Sequence, residues 1–335
     1  MLDLMTFLDD MTIKWPATLS PEGVAVILLA FFGLFSWLEQ LFPHRHLPGT
    51  NLRRSYATNI SFFVVNNTLM SLLSVSSLFF LAQHFSQQGL LRYINNSLVQ
   101  FTVSFLLLDL LLYTWHRLCH RLDSLWLFHR VHHNDPYLNT STAFRVHVLE
   151  LLITNLLKAG YIVLLGVDQL MMLVNEMVIM LFTLFHHTNI RFTGEKTLGS
   201  LIIAPYLHRT HHSTERHEHD SNYGAVLSIW DRLSGTLNER EPKTIGIKGD
   251  SPQDLINLLK LGFNMPTSVS IEQPLPANLE FMIAEAAYYR AEKRNFSPGY
   301  ELLDWLEAKK DILKRIYGEE MLKKQPAKYG LMALN

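Results

Sequence analysis

The sequence has a single cysteine, Cys119, among its 335 residues. That excludes an intrachain disulfide and a thiolate metal site. Charge is sparse: Asp, Glu, Lys and Arg make up 18% of the chain, and the formal net charge is -1. Without an excess of either sign, nothing indicates a nucleic-acid partner or a charged tail. The N-terminus lacks the positive region of a cleaved signal peptide. Asp3, Asp9 and Asp10 stand there instead, and no small-residue cleavage site follows a short apolar core. The zinc-hydrolase signature H-E-x-x-H is absent as well.

Apolar runs and histidines are abundant. Gly23–Phe42 is long enough to cross a hydrocarbon core of about 30 Å as a helix. Ala57–Leu81, Leu98–Trp115, Val148–Gly166 and Leu170–Phe185 are of comparable length. The last two are joined by Val167-Asp168-Gln169, which predicts a hairpin that dips in and returns. Lys158 lies inside the first arm, so residues 148–185 are expected either to snorkel that amine or to insert only in part. With the N-terminus outside, the outer segments hold only Lys14 and Arg92. Arg45, Arg53, Arg54, Arg117, Arg121, Arg130 and Arg145 then fall inside. This asymmetry predicts a multi-pass protein of a bacterial inner membrane with its histidine-rich face toward the cytoplasm.

Of 16 histidines, most lie between His116 and His219. His116 and His120 are spaced i, i+4, which puts both rings on one helix face. His129, His132 and His133 form H-R-x-H-H, repeated 79 residues later as His208, His211 and His212. His187 closes the hairpin at the same predicted interface. Neutral imidazole suits iron, zinc, copper or nickel, and spacing alone does not choose among them. Nine imidazoles are too many for one ion and suitable for two. His44, His46 and His84 have no partners at ligand spacing and are expected at the interface. His217 and His219 are expected to be solvated, the alternative being support for the ligand histidines.

These motifs, in this order, resemble the fatty acid hydroxylase/sterol desaturase superfamily. H-x-x-x-H at His116/His120 is followed by H-x-x-H-H at His129/His132/His133. A histidine then precedes Thr188-Asn189, and a final H-x-x-H-H occupies His208/His211/His212. Asn222-Tyr223-Gly224 and Trp230-Asp231-Arg232-Leu233 look like the closing signature, so the likeness covers Gly23 to Asn238. The Thr188-Asn189 register favours His187 over His186. Arg145-Val146-His147-Val148-Leu149-Glu150 departs from the family's R-x-H-P-x-E at Val148.

The resemblance implies an all-α integral membrane fold with about four spanning helices, one hairpin, and a cytoplasmic helical cap carrying the histidines. It implies a non-haem centre of two irons that uses O₂ and reductant to hydroxylate or desaturate a membrane lipid. No cytochrome module is visible, so a separate electron-donor protein is expected. Metal-bound histidines usually pass their second N–H to an acceptor, and Glu150, Asn222 and Asp231 are candidates for that role. His147 is expected as a brace held by Arg145 and Glu150. Asp109, buried in the third run, needs a partner: either the centre, or Asn66 or Asn67 across a helix interface. Two other readings compete. A zinc-dependent membrane lipid hydrolase would need a carboxylate base such as Glu150, and a metal transporter would bind near the bilayer midplane.

The expected organisation is a catalytic domain over 1–238, a linker over 239–278 and a helical module over 279–335. In the module, Ser297-Pro298 signals a helix start, and Leu302, Leu303, Leu306 and Ile312 are the apolar positions. Residues Ile283–Ile312 resemble a small bacterial domain of unknown function.

Overall fold

The computed structural model describes residues 20–72, 78–86, 88–249, 252–264 and 279–317. Asp3, Asp9, Asp10, Lys14, part of the Ala57–Leu81 run, and linker prolines Pro266, Pro274 and Pro276 lie outside the described residues. The chain divides into two compact units, one ending at Met265 and the other beginning at Pro266.

The first unit runs α1 (Pro21–Leu41), α2 (Gly49–Leu72), α3 (Leu78–Phe85), α4 (Ser97–Arg121) and α5 (Asp123–His133). It continues with α6 (Val148–Leu165), α7 (Gln169–His186), α8 (Pro205–His211), α9 (Ile229–Ser234) and α10 (Leu255–Leu261). Among the described residues there are only isolated β-bridges and no strands. By length and composition, α1, α4, α6 and α7 can cross a membrane.

Each span starts where the sequence supplies a cap. Ser20 accepts from Gly23 N and is followed by Pro21, Asn96 accepts from Val99 N, and Asp168 accepts from Met171 N. The α6–α7 hairpin turns at Gly166, whose φ of 72° favours glycine. Gly89 presses on that turn so closely that a Cβ there would lie 1.9 Å from Gly166 N. Behind it, Leu108, Ile162, Leu165 and Val167 fill the core at the hairpin end of the bundle.

Among the described residues, the Ala57–Leu81 run supplies no helix that qualifies as a span. Its first part belongs to α2, which carries Ser55, Thr58, Asn59, Asn66 and Asn67 and is not apolar enough. Several of them bind the cap instead, whereas Asn67 donates to the Phe63 carbonyl of its own helix. Asn59 donates to Asp135 Oδ2 (3.0 Å) and accepts from Arg145 Nε (2.6 Å), while Asn66 donates to the Val146 carbonyl (2.8 Å). Asp109 therefore does not rely on Asn66 or Asn67. It accepts from Val226 N (2.9 Å), Leu227 N (3.1 Å) and Trp230 Nε1 (2.8 Å). Lys158 does not snorkel either, because its amine pairs with Glu176 at 2.7 Å on α7.

Residues 239–264, expected as linker, belong to the first unit. Leu258 of α10 is buried against Phe62 and Val131, and Gln253 accepts from Arg145 Nη1 at 3.0 Å. A short apolar run after Pro252 was enough to dock.

The second unit contains α11 (Leu279–Lys293) and α12 (Glu301–Tyr317), tied by Arg290 to Glu307 and Asp311 and by Arg294 to Asp304. Its buried residues include Ile283, Ala308 and Leu313, whereas Leu302 and Leu303 face outward. The buried seam of α12 is thus rotated from the one its leucines suggest.

Candidate metal centre

The spans place one end of several helices at a common level. His116 and His120 occupy the last turns of α4, Glu150 the first turn of α6, and His187 caps α7. α5 and α8 lie across these ends and bring the two H-R-x-H-H motifs. Buried polar contacts hold the cap. Asp135, directly after α5, pairs with Arg145 and accepts from Ser55 (2.7 Å) and Thr142 (2.8 Å). At the end of α1, Glu39 accepts from Thr140 N and Asn189 N, both at 2.7 Å, so it anchors the segments after α5 and α7 together.

All nine histidines singled out by motif converge, in two adjacent groups. His116, His120, His129, His133 and His211 form one, and His132, His187, His208 and His212 form the other. Within each, the candidate ligand atoms lie within 4.8 Å of one another. The groups touch through His133 and His212, whose rings stack at 4.5 Å. Each H-x-x-H-H motif is divided between the groups: His132 and His133 go to different ones, as do His211 and His212.

The hydrogen bonds around the first group fix which nitrogens are bare. His116 Nδ1 faces the Tyr223 carbonyl (2.8 Å), His129 Nδ1 faces Glu150 Oε1 (2.7 Å), and His211 Nδ1 faces the Ser221 carbonyl (2.7 Å). His120 Nδ1 faces Asp220 Oδ1 at 3.3 Å. Each acceptor requires Nδ1–H in a neutral ring, which leaves Nε2 as a lone pair. Four lone pairs therefore point at one centre. Those of His116 and His129 are 3.0 Å apart, and those of His120 and His211 have no hydrogen-bond partner among the described residues.

In the second group, His187 Nδ1 donates to the Thr183 carbonyl (2.7 Å), so its Nε2 is bare. That atom meets Nε2 of His132 at 3.1 Å and of His208 at 3.0 Å, and His208 Nε2 also meets His212 Nε2 at 3.1 Å. His208 Nε2 carries at most one proton and cannot donate to both His187 and His212. Converging lone pairs buried this deeply repel unless a cation lies among them. The donor set fits a pair of borderline metal ions held by neutral nitrogen.

Burial and neighbouring imidazoles push His129 and His132 down to about 3 and hold His133, His187, His208, His211 and His212 well below the ordinary histidine range. All seven are neutral at pH 7, the form that binds metal.

Of the candidate supporting residues, Glu150 touches a ring of the centre and the others do not. Asp231 instead accepts from Tyr223 N and Gly224 N, both at 2.9 Å, holding the turn whose Tyr223 carbonyl receives His116. Asn222 sits at φ 54° and bonds the Leu207 and Asn238 carbonyls, one residue ahead of His208. His147 is a brace, but not through Arg145 or Glu150: it caps α6 by accepting from Leu149 N, and its Nε2 meets the Leu259 carbonyl at 3.2 Å.

Asp220 escaped the sequence reading, although it ends the polar run Glu215–Asp220. His219 was expected in solvent, yet it stacks on Trp126 at 5.2 Å with its side chain only 15% exposed, whereas His217 is 63% exposed. Cys119 lies with His129 and Glu150 in a third set of ligand atoms within 4.8 Å, so a lone cysteine excludes only sites built from several. His186 lies outside both groups, with its ring 4.0 Å from that of His208.

Replacing Glu150 by Leu is expected to weaken metal affinity about 10- to 100-fold, since His129 loses its orienting acceptor. Glu150→Gln, which keeps an acceptor oxygen, should recover much of this. Competition with a chromophoric chelator measures both, and equal affinities for all three proteins would remove Glu150 from this role.

A cavity of about 230 Å³ opens beside the centre. His116, His129, His132, His187 and His208 lie along it, and Leu112, Trp115, Ile179 and Met180 supply an apolar wall from α4 and α7.

Residues 101–236 match the family model described as fatty acid hydroxylase, and residues 279–314 match a protein family of unknown function, DUF2934. The chain is 34% identical over 188 residues to ornithine lipid hydroxylase OlsE of Rhizobium tropici, covering 55% of this chain and 56% of that protein. It is 32% identical over 146 residues to alkylglycerol monooxygenase of Danio rerio, covering 43% and 31%, and 29% identical over 142 residues to that of Homo sapiens, covering 42% and 31%. The matched stretch thus spans about half of the first relative and under a third of the other two. No solved structure matches the chain.

Proposed function

From a chain that carries a fatty acid hydroxylase domain over residues 101–236, we propose an O₂-dependent enzyme that hydroxylates or desaturates a membrane lipid at two histidine-held irons. The observation that carries this reading is the pair of buried groups, five and four histidines, with Nε2 atoms turned inward. The relatives are, by name, a lipid hydroxylase and alkylglycerol monooxygenases, which favours iron over zinc. Two irons would supply O₂ activation and removal of hydrogen from an unactivated carbon, with electrons from a separate donor protein.

The chain's own part is to orient and enclose. Tyr223 O, Ser221 O, Thr183 O, Asp220 and Glu150 fix the rings before any ion arrives, which lowers the entropy lost on binding. The apolar wall of α4 and α7 excludes water and accepts a hydrocarbon chain from the bilayer. The Arg-rich inner loops support placing the centre on the cytoplasmic side of a bacterial inner membrane.

The test is lipid profiling of an expression host with the wild type and His132→Ala, each with and without oxygen, beside metal analysis of the purified proteins. About two irons per chain and an O₂-dependent lipid lost in His132→Ala are the expected results. One zinc per chain with O₂-independent lipid cleavage would overturn the proposal.

A further inference from the structure

The chain after α8 does not stay on the cap, and its contacts with α4 track where it goes. Asp220 Oδ1 lies 3.3 Å from His120 Nδ1, and the Tyr223 carbonyl lies 2.8 Å from His116 Nδ1. Val226 N and Leu227 N then donate to Asp109 at 2.9 and 3.1 Å. From residue 120 back to residue 109, the chain climbs about 16 Å along α4. It turns back through α9, and Thr236 Oγ1 meets the Tyr113 hydroxyl at 3.0 Å. Residues 201–203 accompany the tip: Ile203 N donates to the Val226 carbonyl (2.8 Å) and Ser228 N to that of Leu201 (3.1 Å).

α4 is long and apolar enough to cross a membrane, and its apolar run ends at Trp115. Asp109 lies about 9 Å inward of Trp115, well inside a hydrocarbon core whose half-thickness is about 15 Å. Non-helical backbone is tolerated at such depth only where protein satisfies its polar groups. This accounts for a buried carboxylate in the middle of α4, which answers two backbone amides and the Trp230 indole (2.8 Å). Asp231 does the same for Tyr223 N and Gly224 N. The outer side of the tip is apolar. Leu201 is 69% exposed, Ile229 46% and Leu233 74%. Ile229 and Leu233 are one turn apart on α9, and the Ser228 bond brings Leu201 beside them. Arg232 lies between the levels of Asp109 and Tyr113, near enough to the interface for its long side chain to reach water.

We propose that residues 201–203 and 223–236 enter the bilayer beside α4 as a re-entrant tip, with Leu201, Ile229 and Leu233 against lipid acyl chains. The occupant is hydrocarbon because the depth is fixed by Asp109, inside the apolar run of a spanning helix. Tyr223, Gly224 and Ala225 also line the cavity beside the histidines, so the tip builds part of that wall from within the membrane. The inference stands on the path of the chain along α4 and is independent of which metal the histidines hold.

Depth-dependent quenching tests it on the full chain, with no need of turnover. Leu201→Cys, Ile229→Cys and Leu233→Cys each accept a fluorophore at an exposed position, while the native Cys119 is buried and stays unlabelled. Two further variants set the scale: Leu29→Cys, 68% exposed on the spanning helix α1, and His217→Cys, 63% exposed on the cap. The proteins are placed in phosphatidylcholine vesicles that carry nitroxide-labelled acyl chains, and melting temperatures matching the wild type verify their folding. Labels at 201, 229 and 233 should be quenched as strongly as at 29, and several-fold more than at 217. Quenching at the level of residue 217 would place the tip in water and overturn the proposal. Quenching that appears only on dilution to one copy per vesicle would overturn it too, by showing a second copy over these side chains. Loss of quenching at residue 29 as well would reject the spanning of α1 together with the tip.

Discussion

Metal-free protein taken from pH 7 to pH 5.5 is expected to be destabilised by about 3 kcal/mol or more. His129 and His132 are held at about 3, against an ordinary value of 6.5. In the unfolded chain both would titrate near 6.5, so below that pH the unfolded state binds more protons than the native one. Stability is therefore intact above about pH 6.5 and drains as pH falls from there toward 3. One unit below 6.5, each such histidine costs about 1.4 kcal/mol, or about 3 kcal/mol for these two. Five more are depressed in the same direction and add to the loss. Bound metal should displace this transition to lower pH, because protons must compete with the ions for the same nitrogens. Thermal melts followed by circular dichroism, at several pH values with and without chelator, read both effects. A melting temperature unchanged between pH 7 and 5.5 in chelated protein would show that the rings are not buried and neutral.

Asp109→Leu is expected to be the most damaging single change away from the histidines. The carboxylate is fully buried in α4 and receives three donors, Val226 N, Leu227 N and Trp230 Nε1. Leucine fits the surrounding hydrocarbon but leaves all three unsatisfied, at about 1–3 kcal/mol each, so a loss of about 3–9 kcal/mol follows. Asp109→Asn keeps one acceptor oxygen and should fall between. The damage should reach the metal centre, because the segment that Asp109 anchors starts three residues after Tyr223, whose carbonyl orients His116. A lower melting temperature together with reduced metal content in Asp109→Leu is the expected pair of results. Full stability in Asp109→Leu would mean that those three donors find water or lipid partners instead.

The sequence fell short in instructive places. Ala57–Leu81 looked long enough to span because its asparagines and serines are diluted by apolar neighbours. Only the cap shows that Ser55 and Asn59 bind Asp135. Asp231 stands in a recognisable motif, yet it acts on backbone amides one step removed from any ring. Residues 239–264 read as linker since a single short helix carries little periodic signal, and the docking of Leu258 depends on Phe62 and Val131 from distant parts of the chain.

Local spacing determined, without any structure, that i, i+4 histidine pairs would share a face. His116 with His120, His129 with His133 and His208 with His212 each stay within one group. Tertiary structure alone decided how those pairs combine. Adjacent residues on a helix differ by about 100° in direction, so His132 and His211 are turned away from their neighbours toward opposite centres. Which centre each one meets depends on how α5 and α8 lie across the ends of the spans. That arrangement is fixed by Asp109, Asp135, Glu39 and other buried contacts between residues far apart in sequence, and no local pattern records it.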